Sequence, residues 1–403
     1  MRPFTSTISI DEARKRLAAG VQPVVGSERV PLSDAGGRVA AEDVSSSIAV
    51  PPFERSAMDG YAVVAADTAT ASKESPARLR VVDRIFTGGV TSHAVRPGAC
   101  AEIATGAPMP EGADAVVMVE ETDRPSGSAT VSIFARAAAG QHIGRKGADI
   151  SPGDRVVRAG DWLNPSRLGA LAAIGRDSVS VYRRPRVAVL STGNEVIDPG
   201  MPLAAGQIYD VNRFTLGAVV SAHGGEALPH PPVGDTLDAL TAALDACAAA
   251  DVIIFSGGSS VGERDLIVDL VAARGEMIFH GIAVRPGKPT AFAAINGKPF
   301  FGMPGNPTSC LSNAYILLVP FLRATARLPV YAPRTVRARM GRRIESAVGR
   351  HQFYTVKLNG TVAVPAFKGS GEITSLSQAD GYIEIPADQS VVEKDGEVEV
   401  ILF

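Results

Sequence analysis

The chain of 403 residues carries 40 Lys+Arg against 42 Asp+Glu, a formal net charge of −2, and 45% hydrophobic residues. This near-neutral balance argues against a protein that binds nucleic acid by neutralising phosphates, and the apolar content excludes intrinsic disorder. At roughly 100–200 residues per domain, the length predicts about two to four domains.

The first 180 residues combine capped helices with short strands. Ser9 and Glu12 form a capping-box pattern ahead of an amphipathic helix. Residues 46–140 are predicted to be β-rich, because short Val/Ile runs alternate with turns that contain glycine and proline. A loop-rich passage then leads to a second helix, for which Asn164 and Pro165 provide the cap and the first position.

From residue 186 to about 327 the pattern changes to alternating strands and helices. Strands are predicted at residues 187–190, 252–255 and 299–302. Helices are predicted at residues 236–249 and, capped by Asn212, up to Ala222. This alternation predicts a doubly wound, mostly parallel sheet whose ligands bind beyond the carboxyl ends of the strands. After residue 328 short strands and turns return.

The apolar runs, the cysteines and the histidines exclude several classes of protein and of site. No apolar run approaches the roughly 18 residues of a spanning helix, and the N-terminus lacks the continuous apolar segment of a secretory signal. Cys100, Cys247 and Cys310 are too far apart for a disulfide framework, which favours a reducing, cytoplasmic location. The six histidines show no metal-ligand spacing, so any metal is expected to be a hard, oxygen-bound cation.

The most informative segment for chemistry is residues 256–265 (SGGSSVGERD). A buried strand leads into two glycines and a helix is predicted to follow, so backbone N–H groups and a helix N-terminus are available to an anion. A tight turn between a strand and a helix uses the same residues. Taken alone, the segment leaves both interpretations open.

Two later loops combine proline and glycine with polar side chains. Residues 284–290 (VRPGKPT) hold Arg285 and Lys288 three positions apart on a stiff backbone, which suits a small oxyanion. A solvent-facing turn with two surface cations explains this stretch more simply. Residues 302–309 (GMPGNPTS) place Ser309 near the sheet edge, but ordinary helix-start residues account for the loop about as well as ligand binding does.

Carboxylates follow several of the predicted strands. Asp235 and Asp265 would lie near the carboxyl edge of the sheet as Mg²⁺ ligands, directly or through water, and Glu195 lies in the first loop. Each acid would serve equally well as a helix cap or a solvated loop charge. Outside this domain, Asp59 and Asp149 lie in the segments RSAMDGY and RKGADI, which are also typical of surface turns.

In this order, the segments resemble those of the molybdopterin molybdenumtransferases, the insertases that include the gephyrin E domain. The resemblance extends from the opening helix to GSGEITSLSQADGYIEIP and rests on PPFERSAMDGYAV, ATGAPMPEGADAVVMVE, RKGADI, STGNEV, SGGSSVGERD, VRPGKPTAF and GMPGNPTSC. It implies that the substrates are adenylylated molybdopterin and molybdate, that the products are molybdenum cofactor and AMP, and that Mg²⁺ assists.

The resemblance also assigns functional positions, residue by residue. The catalytic positions fall on Asp59, Thr105, Asp149, Glu195, Asp235, Asp265 and Lys288. Asp235 and Asp265 are expected to hold magnesium. Substrate-binding positions are expected at Ser256, Gly257, Gly258, Ser260, Gly262, Arg285, Gly287, Pro304, Gly305, Asn306, Pro307, Ser309, Arg350 and Ser370. The candidates for binding molybdate are Lys288, Arg285 and Ser309, with Arg350 and Ser370 from the last domain.

The pattern changes and the resemblance together predict an elongated, multidomain chain of α/β plus β-rich domains. The domains are a discontinuous N-terminal domain (1–45 and 141–180), a β-rich insert (46–140), a molybdopterin-binding-like α/β domain (181–327) and a C-terminal β-barrel-like domain (328–403). The resemblance implies a homodimer in which the Asp59 loop of one subunit completes the site of the other. Transient contacts with a molybdopterin adenylyltransferase and with apo-molybdoenzymes are also expected, but none with nucleic acid or a membrane.

Four positions depart from the family pattern. Asn194 stands where Asp is usual, Arg285 where Lys is usual, Ser259 where Val is common, and Thr355 where Arg is frequent. Because the acids and Lys288 remain, we expect an active enzyme, with an oxyanion affinity that the planar guanidinium of Arg285 alters. Two alternatives are molybdopterin adenylyltransferase activity, which uses a related α/β domain, and a non-catalytic dimeric scaffold of the gephyrin E type.

Overall fold

A computed structural model describes residues 7–257 and 266–403. The described chain forms two compact units: the larger contains residues 7–29, 37–39, 180–257 and 266–403, and the smaller contains residues 30–36 and 40–179. The four domain boundaries predicted from the sequence stay a prediction. Among the helices of the described residues, none combines the length and the apolar character that crossing a membrane requires.

The smaller unit contains a six-stranded sheet, which confirms the predicted β-rich insert. In spatial order its strands are Ala115–Met118, Gly60–Val63, Ala99–Ile103, Ala77–Ile85, Thr130–Ile133 and Thr122–Asp123. Val63 packs into one apolar cluster and its neighbour Ala62 into another, so both faces of the sheet are covered. The unit also contains the strands Val44–Ser45, Arg55–Ser56, Ile143–Gly144 and Arg155–Val157 and the helix Pro165–Ala173.

The larger unit is built around a second six-stranded sheet. In spatial order its strands are Glu226–Pro229, Arg186–Ser191, Val252–Ser256, Lys298–Met303, Ala291–Ile295 and Gly275–His280. The first four are parallel to one another, and Ala291–Ile295 is antiparallel to both of its neighbours. The predicted mostly parallel α/β sheet is therefore confirmed, with one reversed strand that the sequence pattern did not indicate.

Helices cover both faces of this sheet, as a doubly wound fold requires. Val189 packs in a core with the helix Asn212–Ala222, whereas the next residue, Leu190, packs on the other face with Leu237–Ala246 and Leu266–Arg274. The remaining helices of the unit are Ile10–Ala19, Pro307–Asn313, Val319–Thr325 and Thr374–Ser377, with the π-helical turn Ala314–Leu318 between the second and the third.

Most of the predicted helix starts are confirmed, but one is wrong in detail. Ser9 accepts a hydrogen bond from the Glu12 N–H at 3.2 Å, as the capping-box pattern predicts. Asn164 caps its helix in the same way. Asn212 is not a cap, because the helix already begins at Asn212 and the carboxylate of Asp210 accepts the Arg213 N–H at 3.0 Å.

The C-terminal residues form a sheet that closes on itself, which confirms the predicted barrel-like domain. Its strands follow one another in the order His351–Asn359, Val362–Pro365, Thr335–Met340, Glu397–Leu402 and Gly381–Ile385, and the last pairs back onto the first. The short strand Val284–Arg285 extends this sheet by pairing with His351 and Gln352. A loop from the α/β part of the chain is thus hydrogen-bonded to the barrel.

Candidate functional site

The carboxyl ends of three neighbouring strands lie side by side in the α/β sheet. Ser191 is in register with Ser256, and Ser256 is in register with Met303. Because the strands are parallel, the loops that follow them open onto one edge of the sheet, where ligands bind in this class of fold. A cavity of about 1260 Å³ lies at this edge.

Most of the site residues predicted from the sequence line this one cavity. They are Glu195, Asp235, Ser256, Gly257, Arg285, Gly287, Lys288, Pro304, Gly305, Asn306, Pro307, Ser309, Arg350 and Ser370. Four further predictions, Gly258, Ser260, Gly262 and Asp265, lie outside the described residues. The structure therefore brings together predicted positions that are up to 175 residues apart (Glu195 and Ser370) in the sequence.

Gly257 lets two strand ends approach each other closely. Its φ is +105°, a conformation that favours glycine, and a Cβ at this position would collide with the carbonyl oxygen of Thr192. The N–H of Gly257 donates to the carbonyl of Met303 at 3.1 Å. This donor is therefore used within the sheet edge, and what Gly257 contributes to the cavity is space.

Asn212 ties three cavity-lining segments together. Its Nδ2 donates to the hydroxyl of Ser256 and to the carbonyl of Gly305, both at 2.7 Å. Ser256 in turn donates to the carbonyl of Pro304 at 3.2 Å. The carbonyl of Gly305 can only accept, so the orientation of the amide is fixed. Sequence reasoning missed this role, because the partners of Asn212 are 44 and 93 residues away.

Asp235 is half-buried and incompletely hydrogen-bonded. Its Oδ1 is a buried oxygen without a hydrogen-bond partner among the described residues. Burial raises the pKa of the Asp235 carboxyl; the Asn194 backbone opposes this rise and the charge of Glu195 adds to it. The side-chain oxygen of Asn194 also accepts the Asp235 N–H at 3.1 Å, so the amide that replaces the usual acid positions Asp235.

The unpaired oxygen of Asp235 and the nearby charge of Glu195 fit a divalent cation. Hard cations prefer oxygen ligands, and a cation would offset the repulsion between the two carboxylates. In the described part of the chain, no group of three or more His, Cys, Asp or Glu side chains gathers at a distance suited to a metal. Asp265, the second predicted ligand, lies outside that part. The predicted magnesium site therefore stays a prediction, with Asp235 and Glu195 as the described acids that fit it.

Residues 284–290, here named the cationic loop, are held in place by the helix Pro307–Asn313. Asn313 donates to the carbonyl of Gly287 at 2.8 Å and to the hydroxyl of Thr290 at 2.6 Å. Gly287 has φ +98°, and a Cβ there would collide with the Asn313 amide. Lys288, partly buried, and Arg285, exposed, both line the cavity from this loop. Sequence reasoning did not identify Asn313, because nothing local indicates a contact across 26 residues.

A segment of the C-terminal domain reaches the start of the helix Pro307–Asn313. The carbonyl of Ser370 accepts the Thr308 N–H at 3.0 Å, and its hydroxyl accepts from the Asn306 amide at 3.2 Å. Thr308 also donates to the carbonyl of Glu372 at 2.8 Å. These contacts place Ser370 in the cavity wall, and they use an N–H of the first helical turn that an anion would otherwise have to satisfy.

Several cavity-lining residues were not predicted as site residues. They include Thr192, Tyr209, Asp210, Asn212, Phe367 and Lys368. Asp210 accepts the hydroxyl of Ser191 at 2.7 Å in addition to the helix N–H. An acid three residues before Arg213 at a helix start is a capping signal that the sequence does contain. Phe367 and Lys368 carry no comparable local signal.

Three predicted positions lie in the smaller unit. The Oδ1 of Asp59 accepts the Thr105 N–H at 2.8 Å, so the structure brings these two residues together. Asp149 lies in a separate turn, where its N–H donates to the carbonyl of Val50 at 3.0 Å. All three side chains are exposed. The two hydrogen bonds join loops that are distant in the sequence.

Family models match three consecutive regions of the chain. Residues 8–175 match the MoeA N-terminal region (domain I and II), residues 188–324 match a "Probable molybdopterin binding domain", and residues 337–403 match the MoeA C-terminal region (domain IV). The matches cover the sheet of the smaller unit, the α/β sheet and the closed C-terminal sheet in turn.

Similar proteins match the chain over nearly its whole length. Molybdopterin molybdenumtransferase 2 of Mycobacterium tuberculosis is 36% identical, covering 94% of this chain and 95% of the relative. Molybdopterin molybdenumtransferase of Haemophilus influenzae is 34% identical, covering 96% of both. Among solved structures, the molybdopterin biosynthesis MoeA protein of Pyrococcus horikoshii is 40% identical, with a TM-score of 0.85 over 98% of this chain and 99% of that one.

Proposed function

The chain belongs to the molybdopterin molybdenumtransferase family, and from this we propose that it inserts molybdenum from molybdate into adenylylated molybdopterin, with release of AMP. The observation that carries the proposal is that one cavity at the strand ends is lined by Glu195 and Asp235, by the cationic loop and by Ser370. A substrate with a pyrophosphate link and a small oxyanion needs both cationic and cation-binding groups within one cavity.

Molybdate is a small dianion, and the described residues offer it positive charge on one side of the cavity. Lys288, Arg285 and Arg350 all line the wall, and Ser309 adds a hydroxyl at the helix start. Neither arginine forms a salt bridge with any described residue, so both guanidinium groups are available to an anion. The rigid support of the loop by Asn313 limits the loss of conformational entropy on binding.

The acids of the cavity are proposed to serve the pyrophosphate end of the substrate. Asp235 and Glu195, together with Asp265, would hold Mg²⁺, which neutralises charge on the bridging phosphates when it is bound. The side-chain oxygen of Asn194 keeps Asp235 in place by accepting the Asp235 N–H. Asn212 and Ser256 hold the glycine-containing strand ends in register, so that the phosphate-facing backbone keeps its shape.

Asp59, Thr105 and Asp149 are proposed to act in a homodimer. In this arrangement the Asp59 loop of one subunit completes the cavity of the other. Support comes from the resemblance of the segments that hold these three residues to the family motifs, and from the exposure of their side chains. Transient contact with a molybdopterin adenylyltransferase and with apo-molybdoenzymes fits the same pathway. A cytoplasmic location is supported by Cys100, Cys247 and Cys310, which are free and buried.

The test of the activity is AMP release from adenylylated molybdopterin by the purified chain. We expect release that requires both molybdate and Mg²⁺, with sulfate as a tetrahedral anion control that does not replace molybdate. Two outcomes contradict the proposal. ATP-dependent adenylylation of molybdopterin by this chain alone would favour the adenylyltransferase alternative, and a stable dimer without AMP release would favour the scaffold.

Subunit mixing tests the shared site. Asp59→Ala and Lys288→Ala change residues of the two different compact units, and each variant is expected to lose most of its activity as a homodimer. Co-expression gives heterodimers in which one of the two cavities has both residues intact, so activity should return to roughly half of the wild-type value per heterodimer. If each cavity is completed by its own chain, the mixed protein stays as impaired as the two homodimers, because every cavity then lacks one residue.

A further inference from the structure

Two apolar side chains in the wall of the cavity lack a structural explanation. The short strand Ile208–Tyr209 lines the cavity, yet Ile208 is 55% exposed and Tyr209 is 40% exposed. Neither is needed for the core of the α/β domain, which lies on the two faces of the sheet. Apolar side chains presented to a polar cavity indicate that the ligand has an apolar surface of its own.

The backbone that carries these side chains is held firmly. The Ile208 N–H donates to the carbonyl of Glu195 at 2.8 Å, and the Asp210 N–H donates to the carbonyl of Ile197 at 2.9 Å. The hydroxyl of Tyr209 donates to the carbonyl of Met201 at 2.9 Å, which fixes the position of its ring. Little ordering is therefore left to be lost when a ligand binds to this wall.

We propose that Tyr209, with Ile208 beside it, is the surface on which a planar nitrogen heterocycle of the substrate stacks. The inference rests on the proposed function, because adenylylated molybdopterin has two such ring systems, the adenine and the pterin. The phosphates of this substrate would lie against the cationic loop and near Glu195 and Asp235, whose charged side chains offer no apolar surface to a ring. A flat heterocycle gains binding affinity by stacking on an aromatic side chain.

A partner subunit is the competing occupant of this surface, and the chain offers a way to separate the two. Met201, Leu203 and Phe214 lie close in sequence to Tyr209 and are 58%, 51% and 56% exposed, but within the described residues they are not part of the cavity wall. A covering subunit would bury both groups of side chains, whereas a ring inside the cavity contacts only Ile208 and Tyr209. Leu203→Ala is therefore the matched control for Tyr209→Ala.

The first experiment measures the binding of AMP and of ribose 5-phosphate, which lacks the base, by titration calorimetry. If the adenine is the stacked ring, Tyr209→Ala weakens AMP binding about tenfold and leaves ribose 5-phosphate unaffected, because about 1.4 kcal/mol of stacking is lost. Tyr209→Phe keeps the ring and should bind within about twofold of the wild type. Leu203→Ala should not change either affinity.

The second experiment repeats the titration with molybdopterin that has not been adenylylated. A loss of affinity for molybdopterin but not for AMP in Tyr209→Ala would assign the stacked ring to the pterin, and the reverse would assign it to the adenine. Unchanged affinity for both ligands in Tyr209→Ala overturns the proposal. Equal losses in Leu203→Ala and Tyr209→Ala also overturn it, in favour of a covering subunit.

The stacking proposal and the proposed activity can fail independently of each other. Stacking predicts that Tyr209→Ala raises KM for adenylylated molybdopterin while kcat changes little, since the ring is held in the ground state as in the transition state. A wild-type chain that binds AMP through Tyr209 but releases none from the adenylylated substrate would retain the stacking surface and lose the proposed function. Melting temperatures of all three variants close to that of the wild type would exclude misfolding as the cause.

Discussion

Two predicted acids, one from each compact unit, have different local environments. In the smaller unit, Asp59 is exposed and its Oδ1 accepts the Thr105 N–H. In the larger unit, Asp235 is half-buried, and one of its oxygens has no hydrogen-bond partner among the described residues. The first acid is exposed to solvent and accepts a backbone N–H from a neighbouring loop. The second is incompletely hydrogen-bonded, and a buried charge of this kind is retained at a cost that a ligand can offset.

Substitutions in the two regions should therefore have different effects on stability and on activity. In the cavity that Asp235 lines, Asn212 holds strand ends together and Asn194 holds Asp235 itself, so substitutions there should change stability and activity together. Asp59 is exposed and its carboxylate accepts one solvent-exposed N–H, so substitutions there should change activity much more than stability.

The largest effect is expected for Lys288→Ala. Removing a cation from the anion side of the cavity should lower kcat/KM for molybdate-dependent AMP release by a hundredfold or more, on the order of the loss of one electrostatic stabiliser in a closed site. Lys298→Ala is the control. Lys298 begins a strand of the α/β sheet and donates to the carbonyl of Ala248, but it is not among the residues that line the cavity. Equal activity of the two variants would contradict the role of Lys288.

Asp59→Ala should separate activity from folding. We expect AMP release to fall by about tenfold or more, while the free energy of unfolding stays within about 0.5 kcal/mol of the wild type, as for other exposed substitutions. Urea denaturation followed by circular dichroism measures the second quantity. A large loss of stability would show that the turn needs Asp59 and would remove the contrast with Asp235.

Gly257→Ala tests how much of the cavity depends on the close approach of two strand ends. The positive φ alone costs about 1–2 kcal/mol, and the collision with Thr192 adds a further about 1–3 kcal/mol of strain. Gly200→Ala is the matched control, since Gly200 has φ +94° but a Cβ there would meet no atom within 4 Å. Chemical denaturation should therefore show about twice the loss for Gly257→Ala, accompanied by a loss of activity.

The smallest effect concerns the pH dependence of Asp235. Because the pKa of this carboxyl is raised in the folded state, its contribution to stability is present below its unfolded pKa and is lost as pH rises through the folded pKa. Asp235→Asn keeps a neutral side chain at every pH. The variant should therefore melt at a higher temperature than the wild type at pH 7.5, and this difference should narrow at pH 4.5.

Two further measurements test Asp235: a control substitution at Asp238 and the addition of MgCl₂. Asp238→Asn, in the first turn of the helix Leu237–Ala246, should lower the melting temperature slightly or leave it unchanged, because an acid there favours the helix dipole. Adding MgCl₂ should raise the melting temperature of the wild type but not of Asp235→Asn. A response to Mg²⁺ that is equal in both proteins would separate Asp235 from the cation.

The sequence predicted the site best where its signal is local. Strand ends followed by glycine or acid predicted that Glu195 and Gly257 lie at the sheet edge, since parallel strands bring such loops together. For residues 284–290 the local pattern favoured a surface turn, and only the family resemblance assigned this loop to the site. The reversed strand Ala291–Ile295 escaped prediction, because a short apolar run has the same pattern in either direction.

The residues that were missed depend on contacts between distant parts of the chain. Asn212 looked like an ordinary helix cap until its amide was seen to meet Ser256 and Gly305. Tyr209 lies in a two-residue strand, too short for any periodicity. Their positions follow from tertiary packing, which overrides the local pattern and leaves no trace in composition.

The pairing of Val284–Arg285 with His351 and Gln352 has a consequence for protein engineering. Although the barrel begins some fifty residues later in the chain, it is not an exchangeable module, because one of its strands belongs to the cationic loop. A chimera that takes the barrel from a relative must also take residues 284–285, or the loop will be hydrogen-bonded to a foreign edge. Recombination breakpoints between these two segments should therefore be tolerated poorly, even where they fall in exposed turns.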